Sequence, residues 1–199
     1  MSIERMAEKA NELREKGHAT REISQEMHLS EATVEWLLAR EASKDFTGQL
    51  PPDVKVGWRT IGVSGSRISS IAEIMADVIL EEQDDKGFEI TMVAGVTNNG
   101  VPLATIISDL LGVDFGIIRP SRTGTQTNYG SNYAGLEGKN IVIVDDVIST
   151  GSTVKEVINF TKEQKGNPVL IMTLINKKAD DELDGIPLRA LIRARPVRN

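Results

Sequence analysis

Cysteine does not occur in this 199-residue sequence, so disulfides, thiol nucleophiles and cysteine-ligated metal centres are excluded. Histidine occurs only as His18 and His28, both near the N-terminus, and no metal held by protein side chains alone is expected. Long hydrophobic runs are missing as well: none approaches the roughly 20 apolar residues of a membrane span. The opening MSIERMAEKANEL is charged and amphipathic, unlike a secretory signal, so a cytoplasmic protein with no membrane partner is expected. Positive charge is in deficit. A net charge of −6 and a pI of about 5.1 leave no overall basic surface to attract nucleic acid. What remains is ordinary for a globular protein, 40% hydrophobic and 26% charged, long enough for one large domain or a medium domain with a small appendage.

The chain changes character near residue 45. Before it, Ile3, Met6, Ala7, Ala10 and Leu13 recur at helical spacing up to Gly17. A second short helix follows Thr20 with Ile23 and Met27, and Ser30 is the expected N-cap of a third with Val34, Leu37 and Leu38 inside. Residues 1–45 therefore read as a small all-α domain. Residues 46–56, FTGQLPPDVKV, read as a fairly stiff linker around the Pro51-Pro52 pair. From residue 57 to 199, apolar strands near residues 89–94, 115–118, 141–144, 169–175 and 188–192 alternate with helices near 66–82, 102–111 and 152–165. That alternation predicts an α/β domain with a mainly parallel sheet flanked by helices, whose ligands bind beyond the carboxyl ends of the strands.

The run IVIVDDVISTGST, Ile141 to Thr153, carries the most chemistry. Its first four residues are β-branched and apolar, as in a central parallel strand. Asp145 and Asp146 then fall at the strand's carboxyl end. Ser149, Thr150, Gly151, Ser152 and Thr153 turn into the next helix, whose N-terminal N–H groups and dipole favour a phosphate. Acids beside a phosphate suit sugar hydroxyls, as acceptors, or Mg²⁺ through oxygen coordination. Together the parts describe a site for a ribose 5-phosphate; two buried acids without a ligand or ion would be costly. The plain alternative is a strand-turn-helix with two capping acids.

This run resembles the phosphoribosyl pyrophosphate signature of the type I phosphoribosyltransferases at all thirteen positions. The resemblance implies that Asp145 and Asp146 hold the ribose hydroxyls, that Thr150 to Thr153 hold the 5-phosphate, and that Mg²⁺ accompanies phosphoribosyl pyrophosphate. A second segment, AGVTNNGVPLA from Ala94 to Ala104, resembles the pyrophosphate loop of the orotate enzymes, with Thr97, Asn98, Asn99 and Gly100 as binding candidates. Gly95 and Gly100 are expected to supply a permissive backbone, and Asn98 and Asn99 to tolerate unusual φ. Orotate phosphoribosyltransferases place catalytic lysines in a mobile loop after a strand ending in arginine. Here that strand ends at Arg119, and Pro120 to Gly135 holds no lysine; its single cation is Arg122. The position matching the orotate-recognising arginine is Lys155, which keeps the charge and loses the bidentate fork. A ligand sensor is expected rather than an efficient enzyme, with an active orotate or other base phosphoribosyltransferase as the alternative.

Thr20 to Arg40 fits a helix-turn-helix, with Ser24 as the small residue, His28 at the turn, and Leu29, Val34 and Leu37 inside. Glu31, Ala32, Thr33, Glu35, Trp36 and Arg40 would then face DNA. Against this, Met1 to Lys44 holds seven basic and nine acidic side chains, a poor charge for DNA; the alternative is a three-helix dimerisation or hood element. Trp58 is read as a strand residue packing at the domain junction, and Tyr129 and Tyr133 as residues of the mobile loop. The whole layout resembles the archaeal orotate-phosphoribosyltransferase-like transcriptional regulators and, more distantly, the bacterial purine repressor. That resemblance implies a homodimer whose partners are DNA and phosphoribosyl pyrophosphate or a related phosphorylated metabolite.

Overall fold

The computed structural model describes residues 2–43, 47–121 and 126–195. Its chain divides into two units, Met1–Gly57 with Ala194–Asn199, and Trp58–Arg193.

In the first unit, α1 (Ile3–Glu15), α2 (Thr20–Met27) and α3 (Glu31–Ala42) form where the periodicity predicts helices. Ser30 caps α3 by accepting the Thr33 N–H at 3.2 Å. The turn between α2 and α3 passes through His28 in the left-handed region, at φ 51° and ψ 42°. The three helices share one core of Ala7, Ala10, Ile23, Met27, Leu29, Val34 and Leu37. Alanines on the buried face of α1 let the helices approach, while Ile23, Met27 and Leu37 each contribute about 2 kcal/mol by burial. Three-helix packing around a left-handed turn is compatible with a helix-turn-helix.

The described part of the expected linker is no free spacer. The Trp36 indole donates to the Gly48 carbonyl at 2.7 Å. Asp53 Oδ2 accepts the Ser30 N–H at 2.6 Å and the Thr33 hydroxyl at 3.0 Å. Lys55 donates to the Met27 carbonyl. Residues 47–57 are a strap bonded back onto α2 and α3.

The second unit holds a seven-stranded sheet. Its strands are β1 (Met92–Val96), β2 (Asp114–Arg119), β3 (Asn128–Tyr129), β4 (Asn140–Ile148), β5 (Asn167–Asn176), β6 (Glu182–Leu183) and β7 (Ile186–Arg193), in the order β3-β2-β1-β4-β5-β7-β6. The inner strands β2, β1, β4, β5 and β7 pair in parallel, and only the two short edge strands run antiparallel. The helices are α4 (Arg59–Gly62), α5 (Gly65–Lys86), α6 (Gly100–Leu111) and α7 (Ser152–Glu163). Strand alternation splits the core. Val93, Val142, Val144 and Met172 pack with α5 and α6, while Ala94, Ile141, Ile143 and Ile171 pack with α7.

Three differences from the sequence reading have physical causes. The strand read at 141–144 runs on to Ile148, because β5 pairs with it through Asn176; both aspartates therefore lie inside the sheet. Part of the stretch read as a mobile loop is structured. Tyr129 pairs with Ile118, and Tyr133 meets Phe115 edge-on at 5.4 Å. Trp58 is not in a strand but precedes α4.

Candidate functional site

The chain leaves β1 through α6 to reach β2 on one side, while β4 lies on the other. Such a reversal opens a crevice at the carboxyl ends of the two strands. The loop after β1 and the end of β4 meet there. Gly100, first residue of α6, is packed so closely on β4 that a Cβ would come within 2.2 Å of the Val144 carbonyl oxygen. Gly95 is also closely packed, with a Cβ position 2.8 Å from Val101 Cα. Close approach, then, requires both glycines; neither has a positive φ, and nor do Asn98 and Asn99, so the left-handed φ that asparagine tolerates is not used there. The Thr97–Asn98 peptide is cis.

Alternation along β4 places the adjacent acids on opposite faces, Asp145 with Ile141 and Ile143, Asp146 with Val142 and Val144. Both are buried, at 9% and 5% exposure. Asp146 Oδ2 accepts the Asn99 amide at 3.0 Å and the Trp58 indole N–H at 2.6 Å. The Asp146 backbone is held from both ends: its N–H donates to Asp145 Oδ1 at 2.9 Å, and its carbonyl accepts the Thr173 hydroxyl at 2.9 Å. Burial, and then the neighbouring Asp146 charge, push the Asp145 carboxyl well above the usual carboxylate range.

Past β4 the chain turns through Ser149 and Thr150 into α7. Gly151 is the N-cap at φ 82°, with a Cβ position 3.2 Å from both Leu183 and Lys178 side-chain carbons. The Thr150 and Ser152 hydroxyls lie 3.0 Å apart at the exposed mouth of the turn, and Thr153 is half-buried behind them. First-turn N–H groups of α7 have no intrahelical acceptors, so a tetrahedral anion fits this turn. Lys155 points elsewhere, to an ion pair with Asp184 at 3.1 Å in the β6–β7 turn. Arg119 ends β2 opposite Asn128 and lies against Gly130. Arg122 lies outside the described residues.

Two residues of the site carried no signal in the sequence. Trp58 reaches Asp146 across 88 positions. Glu156 on α7 accepts the Ser121 N–H at 2.6 Å and also the Thr127 hydroxyl, so it clamps both ends of the segment after β2.

In the first unit, Ala32 and Glu35 are exposed on α3. Glu31 is partly exposed at its start. Thr33 is buried at 4% and bonded to Asp53, so it does not face outward as expected. Trp36 is turned to the strap, and Arg40 stacks over its ring at 5.5 Å and pairs with Glu4. Among the described residues, no helix is long and apolar enough to cross a membrane.

The profile of the phosphoribosyl transferase domain matches residues 61–189. Transcriptional regulator GfcR of Thermoplasma acidophilum is 44% identical over 98% of this chain and 98% of its own. The chain belongs to the GfcR family of transcriptional regulators. GfcR of Picrophilus torridus is 41% identical across 96% of this chain and 97% of its own. The match to these GfcR proteins takes in the three N-terminal helices as well as the sheet. Among solved structures, orotate phosphoribosyltransferase from Aeropyrum pernix superposes with a TM-score of 0.57 at 22% identity, over 74% of this chain and 82% of that one. Adenine phosphoribosyltransferase from Thermoanaerobacter pseudethanolicus gives 0.55 at 21% identity, over 71% and 89%. These likenesses establish the type I phosphoribosyltransferase fold for the second unit of this GfcR-family chain.

Proposed function

We propose that this GfcR-family chain is a DNA-binding transcriptional regulator whose second unit senses phosphoribosyl pyrophosphate or a related phosphorylated sugar or nucleotide. The observation that carries the reading is the convergence of three parts at the sheet's crossover. They are the buried acids in the carboxyl-terminal half of β4, the Asn99–Gly100 backbone pressed against them, and the Gly151 turn into α7. The acids accept ribose hydroxyls, the α7 turn takes the 5-phosphate, and the 97–100 backbone takes the diphosphate. Mg²⁺ bound with the diphosphate would offset its charge, and the Asp145 and Asp146 carboxylates are the oxygen donors that would suit it.

Sensing rather than transfer is supported by the cations. A departing pyrophosphate needs positive charge brought against it, yet the loop from Pro120 to Gly135 contains no lysine. Lys155 already has a partner in Asp184, at 3.1 Å. In the first unit, α3 is the reading helix, with Ala32 and Glu35 outermost. A homodimer would set two such helices against a two-fold-symmetric operator. Ligand shifts the regulator only by its differential affinity for the two dimer states.

The test pairs in vitro DNA selection with titration calorimetry of phosphoribosyl pyrophosphate and Mg²⁺. An enriched palindrome whose affinity changes with the ligand is expected. Base-dependent pyrophosphate release above an Asp145→Ala/Asp146→Ala blank would replace this reading with an active transferase. No enriched sequence with or without ligand would end the DNA part of it.

A further inference from the structure

Asp146 is already engaged by a residue that no sugar-binding role explains. The Trp58 indole N–H and the Asn99 amide both donate to Oδ2, at 2.6 Å and 3.0 Å. A carboxylate oxygen offers about two lone-pair positions, so another donor to Oδ2 must displace one of these. The indole is also held in a prepared seat. A Cβ on Gly62 would lie 2.8 Å from the ring, so glycine is what lets α4 close over it. The Trp58 carbonyl accepts the Ile61 and Gly62 N–H groups at 2.8 and 3.0 Å, and Arg67 on α5 donates to the Thr60 carbonyl at 2.6 Å.

Chain position gives this contact its reach. Trp58 directly follows Gly57, the last residue of the strap. Asp53, five residues upstream, bonds the Ser30 N–H and the Thr33 hydroxyl at the N-terminus of α3; Lys55 bonds the Met27 carbonyl at the end of α2. One short stretch of chain thus grips the start of α3 with one residue and the Asp146 carboxylate with another.

We propose that Trp58 is a latch displaced by ligand: a ribose hydroxyl donating to Asp146 replaces the indole N–H, and the freed Trp58 slackens the strap on α3. The inference rests on the reading that Asp146 accepts ribose hydroxyls. It adds that the ligand must carry free ribose hydroxyls, and that inorganic pyrophosphate with Mg²⁺ leaves the latch shut.

Full-length protein labelled with 5-fluorotryptophan gives one ¹⁹F resonance for each of its two tryptophans, and Trp58→Phe identifies that of Trp58. Saturating phosphoribosyl pyrophosphate with Mg²⁺ is expected to shift the Trp58 resonance, and pyrophosphate with Mg²⁺ to leave it in place. Phenylalanine keeps an aromatic ring against Gly62 and removes the donor. By calorimetry Trp58→Phe should bind phosphoribosyl pyrophosphate roughly tenfold more tightly, since no hydrogen bond to a charged acceptor is given up. In the wild type, amide exchange at Asp53 and Val54 should quicken when the ligand is added, and in Trp58→Phe it should not respond. A Trp58 resonance that ignores bound ligand, or wild-type affinity in Trp58→Phe, overturns the latch and leaves the sensing site standing. Absence of any binding heat with the wild type overturns the sensing site and the latch together.

Discussion

Gly65 and Gly100 are each the first residue of a long helix, α5 and α6, yet alanine should act on them with opposite sign. At Gly65 a Cβ meets nothing within 4 Å. At Gly100 it would lie 2.2 Å from the Val144 carbonyl oxygen and 3.0 Å from Asp145 Cα, where ordinary contact begins near 3.4 Å. The start of α6 must therefore retreat from β4 by about 1 Å, a backbone-against-backbone clash that no rotamer relieves. Overpacking of this kind costs about 1–3 kcal/mol, partly offset by up to about 1 kcal/mol from alanine's better helix propensity. A net loss of about 2 kcal/mol corresponds to a melting temperature lower by roughly 4–8 °C for a chain of this length. Gly65→Ala should melt at or slightly above the wild type. Because Asn99 precedes Gly100 and bonds Asp146, Gly100→Ala should also weaken phosphoribosyl pyrophosphate binding in calorimetry, and Gly65→Ala should not. If both variants melt alike, or Gly100→Ala is the more stable, the packing of α6 on β4 does not shape the site.

Three more outcomes are expected. Asp145→Asn keeps the acceptor for the Asp146 N–H and removes a carboxyl whose pKa is raised by burial and by the Asp146 charge. A raised folded pKa favours folding below the ordinary value of 3.8, and that advantage is lost as pH rises through the folded pKa. Asp145→Asn should therefore be more stable than the wild type at neutral pH, with the gap closing in acid, while ligand binding fails; urea denaturation across pH checks this. Glu156→Ala removes the acceptor of the Ser121 N–H and the Thr127 hydroxyl, and Ser121 amide exchange should accelerate roughly tenfold, read by NMR. Leu37→Ala, in the separate core of the first unit, should cost about 2–4 kcal/mol there, seen as loss of helical signal on heating, with phosphoribosyl pyrophosphate affinity unchanged.

The sequence by itself determined the alternation of elements in the second unit, because a parallel strand buried on both faces must be continuously apolar and the helices between must be amphipathic. It also placed Asp145, Asp146 and the Gly151 turn at the business end of β4, since that chemistry is local and contiguous. The three N-terminal helices and the turn at His28 were legible for the same reason: caps, periods and turns act within a few residues. Local pattern cannot show which distant groups a strand end will meet. The extension of β4 to Ile148 came from its partner strand, and the short edge strands β3 and β6 from neighbours rather than from their own residues. Lys155 carries a charge that the family resemblance assigned to a ligand, and only the fold shows that Asp184 of the β6–β7 turn pairs with it. Thr33 had the spacing of an outward residue, and its bond to Asp53 keeps it buried, while the half-buried Trp36 donates its indole N–H to Gly48 of the strap. Trp58 and Glu156 join the site only because folding brings them to Asp146 and Ser121 across 88 and 35 positions. A hydrogen bond of that kind depends on an ångström-scale approach set by packing, and packing is a property of the whole unit that no single stretch of residues contains.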